Sequence, residues 1–262
     1  MGAVSFLKRV VLPGPDDFWT RLMVETERAA QLSLGKGSGG LGIAPEVLAI
    51  ERFLPDTIGI VLDIGGNKGD WTRYALARWG NRVSKIFIFE PSKHHVASIA
   101  SISDPRVTLI RAAVAAQAGE AVLYSDQAGS GMASLTKRRL DHFSIAMDET
   151  ETVQVTTLDE FITSNRIASI GFAKFDVEGH ELNAMRGAEK AFTNGVIKAL
   201  SFEFGGTHID TRTFFQDFWY FLRPFGFNFY RINRGLRPIL LRHYDEAHEH
   251  FRHTNFLAVL GT

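Results

Sequence analysis

The chain has 262 residues, 45% of them hydrophobic, with 29 basic side chains against 29 acidic ones and no cysteine. That length and apolar content suffice for one sizeable core, alone or with an appendage, while the balanced charge offers no field to attract nucleic acid or an anionic membrane. The lack of cysteine excludes disulfides, thiolate catalysis and thiolate metal sites, and no apolar run matches a membrane span or a signal-peptide core, so a cytoplasmic protein is expected.

In chain order, Asp16 and Asp17 can cap a helix running through Phe18, Leu22, Ala29 and Leu32, whose apolar positions recur at helical spacing. It stops in Gly35-Lys-Gly-Ser-Gly-Gly-Leu-Gly42, which reads as a hinge or as a strap near a ligand. A short helix over 45–53 follows. Residues 1–55 are thus expected to form an N-terminal helical brace or lid, and 56–262 the main domain.

The main domain opens on the stretch 58–71, a β-branched run that feeds a turn carrying Gly65, Gly66 and Gly69 and then a helical pattern over 70–79. Strand, tight glycine loop, helix: such a junction lets backbone approach a ligand and presents unpaired N–H groups to negative charge. Strands over 83–90, 106–114, 170–177 and 196–204 then alternate with helices over 92–101, 158–165 and 181–192. Their near-continuous apolar cores predict a parallel sheet covered on both faces. Short strands over 121–124 and 152–157 flank a polar excursion over 125–151, a candidate substrate loop in which Lys137, Arg138 and Arg139 read as a solvated face. The helix over 213–222 supplies Phe214, Phe215, Phe218, Trp219 and Phe221 to the core, and strands over 227–232, 238–242 and 255–260 suit an antiparallel hairpin that finishes a mixed sheet.

Ligands of open parallel sheets bind beyond the carboxyl ends of the strands. Those ends read Asp63-Ile-Gly-Gly, Glu90-Pro, Ala112-Ala-Val, Asp176-Val-Glu-Gly and Glu203-Phe-Gly-Gly, so acids recur at the tips. Glu90, one strand-helix-strand unit after the glycines, can accept both hydroxyls of an unmodified ribose and would repel a 2′-phosphate. The order Asp63-x-Gly65-x-Asn67-x-Gly69 departs from a dinucleotide loop. An acid two residues before the first glycine opposes a pyrophosphate but suits the ammonium of an amino-acid-bearing ligand such as S-adenosylmethionine.

The motifs Val61-Leu-Asp-Ile-Gly-Gly-Asn-Lys-Gly69, Phe89-Glu-Pro91, Thr157-Leu-Asp-Glu-Phe161, Lys174-Phe-Asp-Val-Glu-Gly-His-Glu181, Gly187-Ala188 and Glu203-Phe204 resemble, in order, those of the FkbM-type S-adenosylmethionine-dependent methyltransferases. The resemblance covers roughly 58–205; Gly66, where many relatives carry Ala, and Arg111-Ala-Ala, where Asn is usual, depart from it. It implies an α/β, Rossmann-like class I methyltransferase fold with a mostly parallel seven-stranded sheet, and methyl transfer to a hydroxyl of a small metabolite or sugar. Carried over by position, Asp63, Gly65, Asn67 and Gly69 would surround the methionine part and Glu90 the ribose, with Gly66, Trp71, Pro91, Ala113 and Asp176 completing the cofactor contacts.

Alternation along the fourth strand puts Lys174 and Asp176 on one face, with Glu178 on the same side if extension persists. Charged groups on a covered strand are costly unless paired or functional. A structural pair of Lys174 with Asp176 or Glu203 is one reading; a catalytic set is the other. Candidate bases for deprotonating a hydroxyl are Asp176, Glu178, His180, Glu203 and His208. A divalent ion held by Asp176 and Glu203 is an alternative route to the same end, whereas the offsets of His248, His250 and His253 do not place all three on one helical face. Competing functions on the same strand-loop-helix start are an NAD-dependent dehydrogenase or epimerase and a non-catalytic nucleotide-binding protein; the loop order and the missing Tyr-x-x-x-Lys pair weigh against the former. No nucleic-acid or membrane partner is expected, and a homo-oligomer is compatible with the sequence.

Overall fold

The computed structural model describes residues 17–233 and 237–261, so Asp16 lies outside the described residues. Helix α1 (Phe18–Ser33) begins where the side chain of Asp17 accepts the Thr20 N–H at 2.8 Å. The glycine tract after it forms a tight turn over Ser38–Leu41, pinned to the far end of the chain because Gly39 N–H donates to the His253 carbonyl and Gly37 N–H to the Thr254 hydroxyl. Helix α2 (Ile43–Glu51) leads into β1 (Gly59–Ile64), α3 (Asp70–Trp79), β2 (Val83–Phe89), α4 (Val96–Ala100) and β3 (Val107–Ile110). Next come β4 (Ala113–Val114), β5 (Gly119–Ser125), β6 (Glu149–Thr156), α5 (Leu158–Ser164), β7 (Phe172–Phe175), α6 (Glu181–Arg186), α7 (Glu189–Thr193) and β8 (Ala199–Phe204). The chain closes with α8 (Thr207–Thr211), α9 (Phe215–Leu222), β9 (Phe227–Arg231), β10 (Ile239–Leu241) and β11 (Thr254–Leu260). No helix of the described residues is long and apolar enough to cross a membrane.

The main sheet has eight strands in the order β10-β9-β11-β8-β7-β1-β2-β3. From β3 to β8 every pair is parallel; β11 runs antiparallel between β8 and β9, and β10 pairs antiparallel with β9. This is the expected mostly parallel, Rossmann-like arrangement, with one strand more than the seven expected. The extra strand is β10, which covers the outer edge of β9. The antiparallel C-terminal strands are present, but the last of them is inserted inside the sheet.

Period-two alternation sorts the core into two layers. Leu62, Ile64, Phe175, Leu200, Phe202 and Phe256 face α5, α6, α7 and α9, where Phe202 stacks on Phe218 with centroids 4.5 Å apart. Val61, Ile86, Ile88, Phe172, Ala199 and Leu257 face α2, α3 and α4, where Trp71 lies nearly parallel to Phe172 at 5.9 Å. Of the aromatic run in α9, Phe215, Phe218 and Trp219 are buried, whereas Phe214 is exposed.

Two expected elements are divided. The strand over 106–114 breaks at Arg111: β3 ends in the main sheet and β4 joins β6 and β5 in a separate three-stranded sheet. The helix over 181–192 breaks at Gly187, where an added Cβ would lie 2.2 Å from the Ala115 carbonyl oxygen. Both breaks serve contacts between segments far apart in sequence, which local pattern does not carry.

Candidate active site

A cavity of about 490 Å³ opens at the carboxyl tips of β1, β2, β7 and β8. The glycine tract and α2 contribute one wall and residues 130–135 of the polar excursion another. The same alternation that builds the core puts polar groups at its floor and directly beneath it. On the α2-facing side each strand steps from an apolar residue to a polar one two positions on: Val61 to Asp63, Phe172 to Lys174, Ala199 to Ser201.

At the β1 end, Gly65 has φ +85° and sits so close to β7 that an added Cβ would lie 1.8 Å from the Asp176 carbonyl oxygen. Only glycine satisfies both constraints. The turn is pinned to β2, because the N–H groups of Gly65 and Gly66 donate to the Phe89 carbonyl at 2.9 and 3.1 Å. The next residue out, Asn67, donates its N–H to Oε2 of Glu90 at 2.8 Å, and Ser92 donates to Oε1 at 2.9 Å. Burial pushes the Glu90 carboxyl up to about 7 against the opposing pull of these two bonds. Gly65, Gly66, Asn67, Trp71, Glu90, Pro91 and Ala113 all line the cavity.

Asp63 and Gly69 do not. Asp63 is fully buried behind the loop, where Oδ2 accepts the Thr72 hydroxyl at 2.7 Å and Oδ1 lies 3.9 Å from Lys174 Nζ; burial raises its pKa. Gly69 precedes α3 with φ +83°, its Cα packed towards Ile102.

At the β7 and β8 end, Lys174 donates to Oδ2 of Asp176 at 2.8 Å and lies 5.8 Å from the Trp71 ring centroid. Burial alone would lower its pKa, but Asp176, Asp63 and Glu46 outweigh burial and raise it, so the lysine is held charged. Lys174, Asp176, Glu178, His180 and Glu203 line the cavity together. The extension assumed beyond Asp176 does not persist: Glu178 has φ +54° and turns to meet Arg138 at 3.2 Å. Burial, then Glu203 and Asp176, raise the Glu178 pKa well above the usual carboxylate range. Arg138 is not on a solvated face. Its side chain is only 11% exposed and also approaches Asp210 at 3.6 Å.

Glu181 shapes this turn. Its carboxylate accepts the N–H groups of Val177 and Gly179, and His208 Nε2 lies 2.9 Å from its Oε2. His208 is therefore fully buried behind the turn and outside the cavity lining. His180 instead faces the cavity, with Nε2 2.8 Å from the Thr136 hydroxyl, and burial lowers its pKa.

Glu46, Ser201, His253 and Asn255 also line this end, and sequence reasoning missed them. Glu46 is buried on α2, its Oε1 accepting the Ser201 hydroxyl at 3.3 Å; burial pushes it up to about 7, partly offset by Lys174. His253 contacts Glu203, whose pKa is raised by burial and by Asp176. An acid at an otherwise apolar helix position was the available signal for Glu46. Among the described residues, no group of three His, Asp or Glu side chains is arranged to hold a metal ion.

A family model described as the methyltransferase FkbM domain matches residues 63–229, more than half of the chain. Similar solved structures include methyltransferase FkbM from Methylobacillus flagellatus KT, at 15% identity and TM-score 0.47, covering 78% of this chain and 44% of that one. The chain thus spans less than half of that protein. Precorrin-6y C5,15-methyltransferase from Geobacter metallireducens GS-15 gives 11% identity and TM-score 0.42, covering 83% of this chain and 87% of that one. A SAM-dependent methyltransferase from Aquifex aeolicus gives 10% and 0.42, covering 91% and 96%. No curated protein sequence matches the chain.

Proposed function

The chain belongs to the FkbM methyltransferase family, and from that premise we propose that it transfers a methyl group from S-adenosylmethionine to a hydroxyl of a small metabolite or sugar. The observation that carries the reading is Glu90. Its two oxygens are anchored by the Asn67 and Ser92 N–H groups beside the Gly65–Gly66 turn, and each keeps a lone pair for a ribose hydroxyl. Phe89, Ala112, Ala113 and Val114 supply an apolar wall for the base, and the cavity volume lies within the usual range for a ligand of this size. When bound, S-adenosylmethionine supplies a methyl group activated by its positively charged sulfur.

The chain's own residues would then align the acceptor and take its proton. His180 is suited to accept it. Burial favours the neutral imidazole, and if Nε2–H donates to Thr136, Nδ1 presents its lone pair. Lys174 fixes Asp176 on the cavity wall, while Glu178 and Glu203 line the same end. In this reading α2 is a brace that also reaches the site.

The test is transfer from methyl-labelled S-adenosylmethionine to a panel of hydroxylated metabolites and sugars. Label in a new methyl ether, lost in His180→Ala with cofactor binding retained, supports the proposal. Label confined to nitrogen or carbon contradicts it.

A further inference from the structure

The end of the cavity over β8 is lined by two buried acids, Glu46 and Glu203. Glu46 is only 8% exposed, and Lys174 acts on it from beyond ion-pair distance, so that among the described residues it has no direct ion pair. Ser201, the hydroxyl donor to Oε1, sits two residues before Glu203 on β8 and so on the same sheet face. Glu203 is equally buried, and His253 contacts its Oε2 alone. Lys174 is already committed to Asp176 at 2.8 Å and Asp63 at 3.9 Å. Buried carboxylates lining one end of a cavity are costly without a cation to share.

We propose that Glu46 and Glu203 form a subsite for a primary ammonium group carried by a ligand of this cavity. An ammonium has three N–H donors and no acceptor, which matches the free oxygen of each carboxylate together with the Ser201 hydroxyl oxygen. Glu90 and Glu203 end strands three inter-strand spacings apart, about 14 Å. The subsite therefore lies at the opposite end from the ribose position. Glu46 falls outside the matched span 63–229, so the N-terminal helix, and not the shared domain, contributes this half of the subsite. The inference rests on the methyltransferase reading. The ammonium has two possible sources: an amino group on the acceptor, as in an amino alcohol or amino sugar, or the α-ammonium of the donor's methionine.

Titrations of the full chain and of Glu46→Gln and Glu203→Gln distinguish them. One pair of probes is S-adenosylhomocysteine and its analogue lacking the α-amino group. The other, measured by ligand-observed NMR with S-adenosylhomocysteine saturating, is ethanolamine and ethylene glycol. The subsite predicts that each variant weakens the ammonium-bearing member of one pair about tenfold and leaves the ammonium-free member unchanged. A loss in the first pair assigns the group to the donor, and a loss in the second assigns it to the acceptor. Equal weakening within both pairs, or none, overturns the subsite alone. A wild-type chain that binds no S-adenosylhomocysteine overturns the methyltransferase reading and the subsite with it.

Discussion

Lys174 is the cation on which the buried acids of the site depend. It serves fully buried Asp63 and half-buried Asp176 at once, so truncating it strands both carboxylates. Lys174→Met should cost about 3–5 kcal/mol in urea denaturation; a loss below about 1 kcal/mol would show that the acids are neutralised some other way. Glu46 gives a pH signature. Its pKa is raised from the ordinary 4.5 to about 7, so the folded chain holds this proton more tightly than the unfolded one. Its contribution to stability is thus lost as pH rises from about 4.5 to 7, by up to about 3 kcal/mol. Glu46→Gln should accordingly gain in melting temperature over the wild type between pH 5 and pH 8, and a pH-independent difference would refute the assignment. The two residues differ in legibility. Lys174 and Asp176 could be read because a charge on a covered strand is conspicuous, and strand periodicity states which face it occupies. Glu46 carried only the weaker signal of an acid at an apolar helix position, because it is packing of α2 against the sheet that buries it.

Among elements, the two N-terminal helices show how far pattern goes. Both have apolar residues at helical spacing, yet α1 has no buried residue, with Trp19 55% exposed, while α2 buries Val47, Ala49 and Ile50 against Trp71 and Trp79. Periodicity gives a helix its face but not its partner. Ile50→Ala should therefore cost about 2–5 kcal/mol, whereas Leu22→Ala in α1 should stay within about 0.5 kcal/mol. Comparable losses at both positions, measured by denaturant titration, would contradict this division. The β3–β4 and α6–α7 breaks were illegible for the same reason. Gly187 could be seen in the sequence, but not the Ala115 carbonyl that requires it.

At the scale of the whole molecule, a sheet with apolar layers on both faces turns polar at its carboxyl tips, and that change of character places the cavity. The strand tips were legible because each ends a hydrophobic run at an acid: Asp63, Glu90, Asp176 and Glu203. Their division of labour was not, since it follows from which tips are roofed by segments distant in sequence. Glu90 faces the cavity, Asp63 lies behind the glycine loop, and Glu203 meets His253 from the chain's last strand region. Balanced charge leaves recognition to this local arrangement. In the proposed function the cavity is a donor site keyed to Glu90. Calorimetric titration of S-adenosylmethionine, S-adenosylhomocysteine and NAD into the wild type and Glu90→Ala tests it most directly. The two adenosyl amino acids should bind and NAD should not, with Glu90→Ala weakening both by about tenfold or more; tight binding of NAD alone, or adenosyl affinities unchanged in Glu90→Ala, would contradict a donor site at Glu90.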